Sequence, residues 1–267
     1  MVIYWTTILK LENLQMRFII FFFALTISYT SLAQDLDFVV VSQNLLETTR
    51  EKQPTKDIQD QLAKVSLREL SKDLDTDERR LAFWINVYNA YIQILLTDDA
   101  TLFDDRSAFF TEKRMTIAGQ KVSFDNIEHG IIRASQSKYT LGLIPKFWGV
   151  SEYEKKLRVQ ERDGRVHFAL NCGAKSCPPI PVLTAKRLDQ QLDAASKAYL
   201  EATTKYDKEA DAAHVTPLFS WFRGDFGGLS GVKSYLRHFE IIPAGANPSL
   251  DFLDYDWTLD LNNYVDL

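Results

Sequence analysis

Apolar positions recur at helical spacing over much of the chain, and short alternating runs interrupt them. Asp35 to Gln53 and Thr55 to Asp73 predict two amphipathic helices; in the second, Ile58, Leu62, Val65 and Leu67 recur with charges between them. Thr76-Asp77-Glu78 predicts a cap followed by the acids that suit a helix start. Leu81 to Leu96 is apolar nearly all round, the pattern of a helix buried in a core. Asn86, Asn89 and Gln93 interrupt it, spaced so that they share one face. Buried amides need partners, so this stripe either caps neighbouring backbone or lines a site.

Further along, Met115 to Phe124 predicts a hairpin, with two alternating runs flanking Ala118-Gly119-Gln120. Phe124 to Ser135 predicts a helix carrying Asp125, Glu128 and His129. Arg165 to Asn171 predicts a buried strand after the turn Asp163-Gly164, and Cys172 to Pro181 a loop stiffened by three prolines. Thr184 to Lys205 predicts an amphipathic helix, and His214 to Leu218 a short strand. Ser220 to Phe226 and Gly231 to Phe239 predict short helices hinged at Gly227-Gly228, followed by an aromatic tail that packs back on the body. The expected fold class is α+β: a helix-rich single domain over residues 34–267 with a small central sheet. No linker-like stretch divides it.

The start of the chain alters this picture. Phe18 to Ser28 is a short apolar run preceded by Arg17 and followed by Ser31-Leu32-Ala33. A basic start, an apolar core and a small-x-small exit predict a secretory leader over residues 1–33, in which 1–15 are an over-extended start if Met16 initiates. The run is short for a membrane span, which needs about 20 residues. The expected protein is therefore exported, periplasmic or extracellular, with no integral membrane span after leader cleavage. Net charge is -5 over 267 residues, and loss of Lys10, Glu12 and Arg17 with the leader makes it one unit more negative. Mild acidity argues against a nucleic-acid partner, which calls for a basic patch or stripe. At 46% hydrophobic and 25% charged, a chain of this length buries a sizeable core without a disulfide or metal.

Four blocks then carry a resemblance: FWINVYNAYI (Phe83–Ile92), DNIEHGIIR (Asp125–Arg133), VHFALNCGAKSCPPI (Val166–Ile180) and LFSWFRGDFG (Leu218–Gly227). They resemble, in order, the domain of unknown function 547 family over about residues 65–240. The family implies a fold unit found in exported bacterial proteins; it implies no settled activity.

The candidate chemistry centres on Cys172, where a strand end meets the loop opening at Gly173. A rigid element aims a side chain into a cleft there, and Gly173 leaves an amide for an oxyanion. A thiol nucleophile needs a base and an orienting group. His167 is nearest, but strand alternation points it away from Cys172, which leaves it a binding role. His129 has Asp125 one helical turn earlier. The expected arrangement is Cys172 as nucleophile, His129 as base, and Asp125, Asn86 or Asn89 as orienter, a set of parts that resembles papain or transglutaminase thiol chemistry. A disulfide between Cys172 and Cys177 competes with it, since export permits pairing. Zinc held by His167, Cys172, Cys177 and His129 does not fit the usual CxxC-type ligand spacing, and no metal or cofactor is expected. Arg223, in SWFRGDFG, is either half of a surface pair with Asp225 or a ligand for an anionic group.

Two functions follow. One is a thiol-dependent hydrolase or acyltransferase acting on an amide or ester. The other is a non-catalytic binding or scaffold module for a small-molecule or peptide ligand.

Overall fold

A computed structural model describes residues 36–267; the expected leader over 1–33 lies outside the described residues. Asp37–Leu267 is one compact unit. Among the described residues no helix is long and apolar enough to cross a membrane.

The chain opens with helices α1 (Phe38–Arg50), α2 (Lys56–Lys64) and α3 (Leu67–Asp73). Where one helix was expected over Thr55 to Asp73, two form. Ser66 breaks the run because its side chain accepts from the Glu69 N–H while Glu69 bonds back to the Ser66 N–H, a capping box that starts a new helix. The central helix α4 (Asp77–Asp98) is buried nearly all round, as its pattern predicts. Thr76 Oγ1 caps it, accepting from the Arg79 N–H at 3.3 Å. Thr76→Ala is expected to cost about 1 kcal/mol, read from urea unfolding; an unchanged midpoint would show that packing alone holds that end.

The amide stripe on α4 fastens backbone. Asn86 Oδ1 accepts from the Leu183 N–H and its Nδ2 donates to the Leu183 carbonyl, both at 2.9 Å. Asn89 holds the Asn171 N–H and the Ala169 carbonyl in the same way, again at 2.9 Å. Gln93 Oε1 accepts from the Asn262 N–H at 2.8 Å. One helix face thus pins three remote chain segments, including the one that leads into Cys172. Apolar side chains at these positions would leave those backbone groups buried and unpaired.

Helix α5 (Arg106–Thr111) leads to the hairpin β1 (Met115–Ile117) and β2 (Gln120–Val122), which pair antiparallel as expected. The segment Asn126–Ile132 is a π-helix rather than an α-helix, closed by wide bonds such as Arg133 N–H to the Glu128 carbonyl at 2.9 Å. Such insertions cluster at functional sites. After α6 (Glu152–Leu157) comes Gly164–Phe168, a 3-10 turn where a strand was expected. Asp163 caps it through the Arg165 N–H, and a short apolar run fits either conformation.

The C-terminal part holds β3 (Ile180–Pro181), α7 (Leu188–Thr203), β4 (Lys205–Asp207), β5 (Ala212–Val215), α8 (Leu218–Trp221), α9 (Gly228–His238), β6 (Ser249–Phe252) and β7 (Tyr264–Val265). The hinge at Gly227-Gly228 is present, with φ of 75° and 79°. The expected single central sheet is not. Instead the hairpin, the parallel pair β3–β7 and the ribbon β4–β5–β6 are separate, so helices carry the core and the class is helix-rich α+β. Two apolar clusters result, one around α4 and one around Phe168, Phe219, Phe226 and Leu236. The aromatic tail packs back between them through Tyr255.

Candidate functional site

Where the π-helix, the turn before Cys172, helix α8 and the tail converge, they enclose a cleft of about 300 Å³. Asp125, Glu128 and His129 line it from the π-helix, with Lys138 just beyond; His167 and Cys172 enter from the central block. Trp221, Phe222, Tyr255 and Trp257 form an aromatic wall, with Trp221 and Trp257 stacked at 5.8 Å and Tyr255 4.7 Å from Trp257. A second hollow shares Asp125, His129 and Lys138 with this one and runs out under Tyr139, Phe147 and Trp148, three exposed aromatic side chains.

Cys172, His129, Asp125 and His167 therefore meet at one cleft, as the sequence pattern suggested for the first three. The separation of His167 from Cys172 expected from strand alternation does not apply, because no strand forms there.

The expected division of labour among them changes. Cys172 and Cys177 form a disulfide with Cα atoms 6.3 Å apart, within the usual range, so Cys172 is not a free thiol in this structure. The imidazole of His129 is occupied at Nδ1. Nδ1 lies 2.7 Å from Arg133 Nη1. A guanidinium only donates, so Nδ1 carries the lone pair and Nε2 the proton, 3.7 Å from Asp125 Oδ1. Burial, and then the Arg133 charge, push the His129 imidazole well below its ordinary range, so it stays neutral. A base whose lone pair is already filled by an arginine has no room for a thiol proton. Asp125 does stand beside His129 as predicted, and it also binds Lys138.

Asn86 and Asn89 are not orienters: both are fully buried and spent on backbone. The Gly173 amide is not free for an oxyanion, since it donates to Asn171 Oδ1 at 2.9 Å. Arg223 does not line the cleft, and its Nε is buried without a partner.

The surface pair expected between Arg223 and Asp225 is replaced by something deeper. The Asp225 side chain is 2% exposed and binds Arg133, likewise 2% exposed, through two oxygens. It also binds Arg162 Nη1 at 3.1 Å and His167 Nε2 at 2.8 Å. Burial pushes the Asp225 carboxyl up, but the hydrogen bonds from His167 and Arg133 and the Arg133 charge outweigh it and hold the group well below the usual carboxylate range. Two guanidiniums balance that charge already, and burial holds the His167 pKa below its ordinary value despite Asp225. His167 is thus a neutral donor, stacked on Phe222 at 3.7 Å. Gly142 closes over the cluster with φ of 74°; a Cβ there would stand 2.6 Å from Asp225 Oδ1 and 2.7 Å from Arg133 Nη2.

The most chemically unusual group is Glu128, on the same π-helix as His129. Burial, and less strongly the Asp125 charge, push its carboxyl up to about 7, against the opposing pull of Arg133. Tyr88 donates to it at 3.4 Å. Its position three residues after Asp125 and beside His129 put it in view in the sequence; its dielectric environment was not visible there. Among the described residues no cluster of His, Cys, Asp and Glu has metal-binding geometry.

Residues 71–200 match the model of the family described as Protein of unknown function, DUF547. The resemblance seen in the sequence blocks therefore holds over the π-helix, the central block and Cys172, while Asp225, Tyr255 and Trp257 lie beyond the matched stretch. No curated protein and no solved structure matches the chain.

Proposed function

We propose that the cleft binds a small molecule or short peptide with an aromatic or apolar body, and that Glu128 shares a proton with it. One observation carries this reading: a carboxyl that titrates near neutrality at the base of an aromatic-walled cleft. Pockets of about 300 Å³ and upward, mostly apolar with a few aimed polar groups, suit small ligands. The adjoining hollow under Phe147 and Trp148 extends the lining enough for a peptide. The engaged states of His129, Gly173 and the cysteines favour binding over nucleophilic catalysis.

Trp221 and Trp257 supply the test. Dipeptides with aromatic side chains are expected to quench tryptophan fluorescence saturably, and Trp257→Ala to weaken that binding at least tenfold. Apparent affinity is expected to change around pH 7 and to lose that dependence in Glu128→Gln. Linear quenching, equal in wild type and Trp257→Ala, would remove the proposal.

A second reading has its own support, because Cys172 lines the same cleft as Glu128. Once reduced, the Cys172 thiolate would attack an amide or ester carbonyl, and protonated Glu128 would supply the leaving group's proton. This is a thiol-dependent hydrolase or acyltransferase with parts that resemble papain or transglutaminase, with Glu128 as the acid in place of His129 as the base. Release of nitroaniline or nitrophenol from acyl derivatives by the reduced protein, absent in Cys172→Ser, would support it; equal rates in both would end it. Export from the cytoplasm rests on the leader pattern, and predicts a mature N-terminus at Gln34 on sequencing of secreted material.

A further inference from the structure

We propose that Cys172–Cys177 is an exchangeable disulfide in which Cys172 is the sulfur attacked, and that the thiols it takes are low-molecular-weight thiols or cysteine-containing peptides entering the cleft. The proposal deepens the binding reading and rests on it only in that the thiol uses the same entrance.

The two sulfurs are placed unequally. Cys172 lines the cleft and is partly exposed, whereas Cys177 is 4% exposed and packed in the core. Thiol–disulfide exchange depends on which sulfur the incoming thiolate can reach, and the cleft offers Cys172. The other sulfur is prepared to leave. Tyr255 Oη donates to Cys177 Sγ at 3.2 Å, and the Cys172 N–H donates to it at 3.0 Å. Donors aimed at a sulfur favour its thiolate, and a stabler thiolate leaves faster.

The bond also adds little as a staple. It closes a loop of four intervening residues, the case in which a crosslink constrains the unfolded chain least. The loop is held independently: the Lys175 N–H donates to the Thr258 carbonyl, and the Asp260 N–H to the Gly173 carbonyl, each at 2.8 Å. The loop backbone is therefore held by bonds that do not depend on the disulfide.

The exchange balances as follows. An incoming thiolate forms a bond to Cys172 Sγ; the Cys172–Cys177 bond breaks, and its electron pair goes to Cys177 Sγ beside Tyr255. A second thiol of the same dithiol ligand then attacks the ligand sulfur of the mixed disulfide, and Cys172 leaves as a thiolate. The two ligand thiols release two protons on becoming thiolates, and these pass through solvent to the Cys177 and Cys172 thiolates. The ligand dithiol is oxidised to a disulfide and the protein disulfide reduced to two thiols, a two-electron transfer.

The full chain tests this with glutathione disulfide as the probe. Cys177→Ser is expected to take one glutathione on Cys172, and Cys172→Ser to react at least tenfold more slowly, both read by intact mass with circular dichroism as the fold control. Unmodified Cys177→Ser, or equal rates in the two variants, overturns the proposal. Should Cys177→Ser not fold, Cys177→Ala, which likewise has no second thiol to resolve the adduct, gives the same answer: an adduct mapped to Cys172 supports the proposal, and none overturns it. Tyr255→Phe is expected to slow native reduction about tenfold. Dipeptide quenching in Cys172→Ser separates the two ideas: quenching without glutathione exchange in wild type leaves the binding cleft standing and removes the exchangeable disulfide.

Discussion

Asp225→Ala is expected to lower the unfolding free energy by about 3–5 kcal/mol, the usual consequence of stranding a buried charge. The substitution leaves the Arg133 guanidinium, 2% exposed, without its carboxylate, and leaves His167 Nε2 without an acceptor. Arg162 loses its carboxylate too but keeps a bond to the Gly142 carbonyl at 2.7 Å. Urea unfolding followed by near-ultraviolet circular dichroism measures the loss. A cost below about 1 kcal/mol, the range of exposed pairs, would mean that the cluster is solvated. The pH dependence has a definite sign. A carboxyl held below its unfolded value contributes stability that is present above the unfolded pKa and lost as pH falls through the folded one. Wild type should therefore lose stability at acid pH, below the ordinary carboxylate range, more steeply than Asp225→Asn.

Glu128→Gln is expected to act in the opposite direction. The native carboxyl titrates at about 7, against 4.5 in the unfolded chain. Between those values the native state holds a proton that the unfolded state has released. Stability due to this group is therefore full below pH 4.5, falls as pH rises to about 7, and is flat above. The gap corresponds to about 3 kcal/mol at most. Above pH 7 the glutamine variant should be more stable than wild type by up to that amount, and below pH 4.5 about equal. Parallel stability curves for the two proteins from pH 4 to 8 would contradict the raised carboxyl, and the binding proposal with it. A group that weakens the fold at working pH is what a site residue looks like when activity, rather than stability, keeps it in place.

The places where sequence and structure part company share a cause. Leu81 to Leu96 was legible because fifteen residues of one helix are buried, and a periodic signal of that length is hard to mistake. Asp125 and His129 were legible because their spacing survives even in a π-helix, with Nε2 and Oδ1 3.7 Å apart. Arg165 to Asn171 was not, because a short apolar run has no period of its own to choose between strand and turn. Asn86 and Asn89 showed as a polar stripe, but the carbonyls and amides they hold lie 80 to 97 positions away. The sequence showed that those amides needed partners and could not show which.

Local order along the chain determined the helices, their caps, the hairpin and the residue types gathered near Cys172, because periodicity and capping act over a few residues. Tertiary structure alone decided that Asp225 serves Arg133 across 92 positions, that Tyr255 reaches Cys177 across 78, and that Glu128 sits where its charge is costly. Ion-pair partners and local dielectric belong to groups that folding brings together, and no spacing within one segment encodes them.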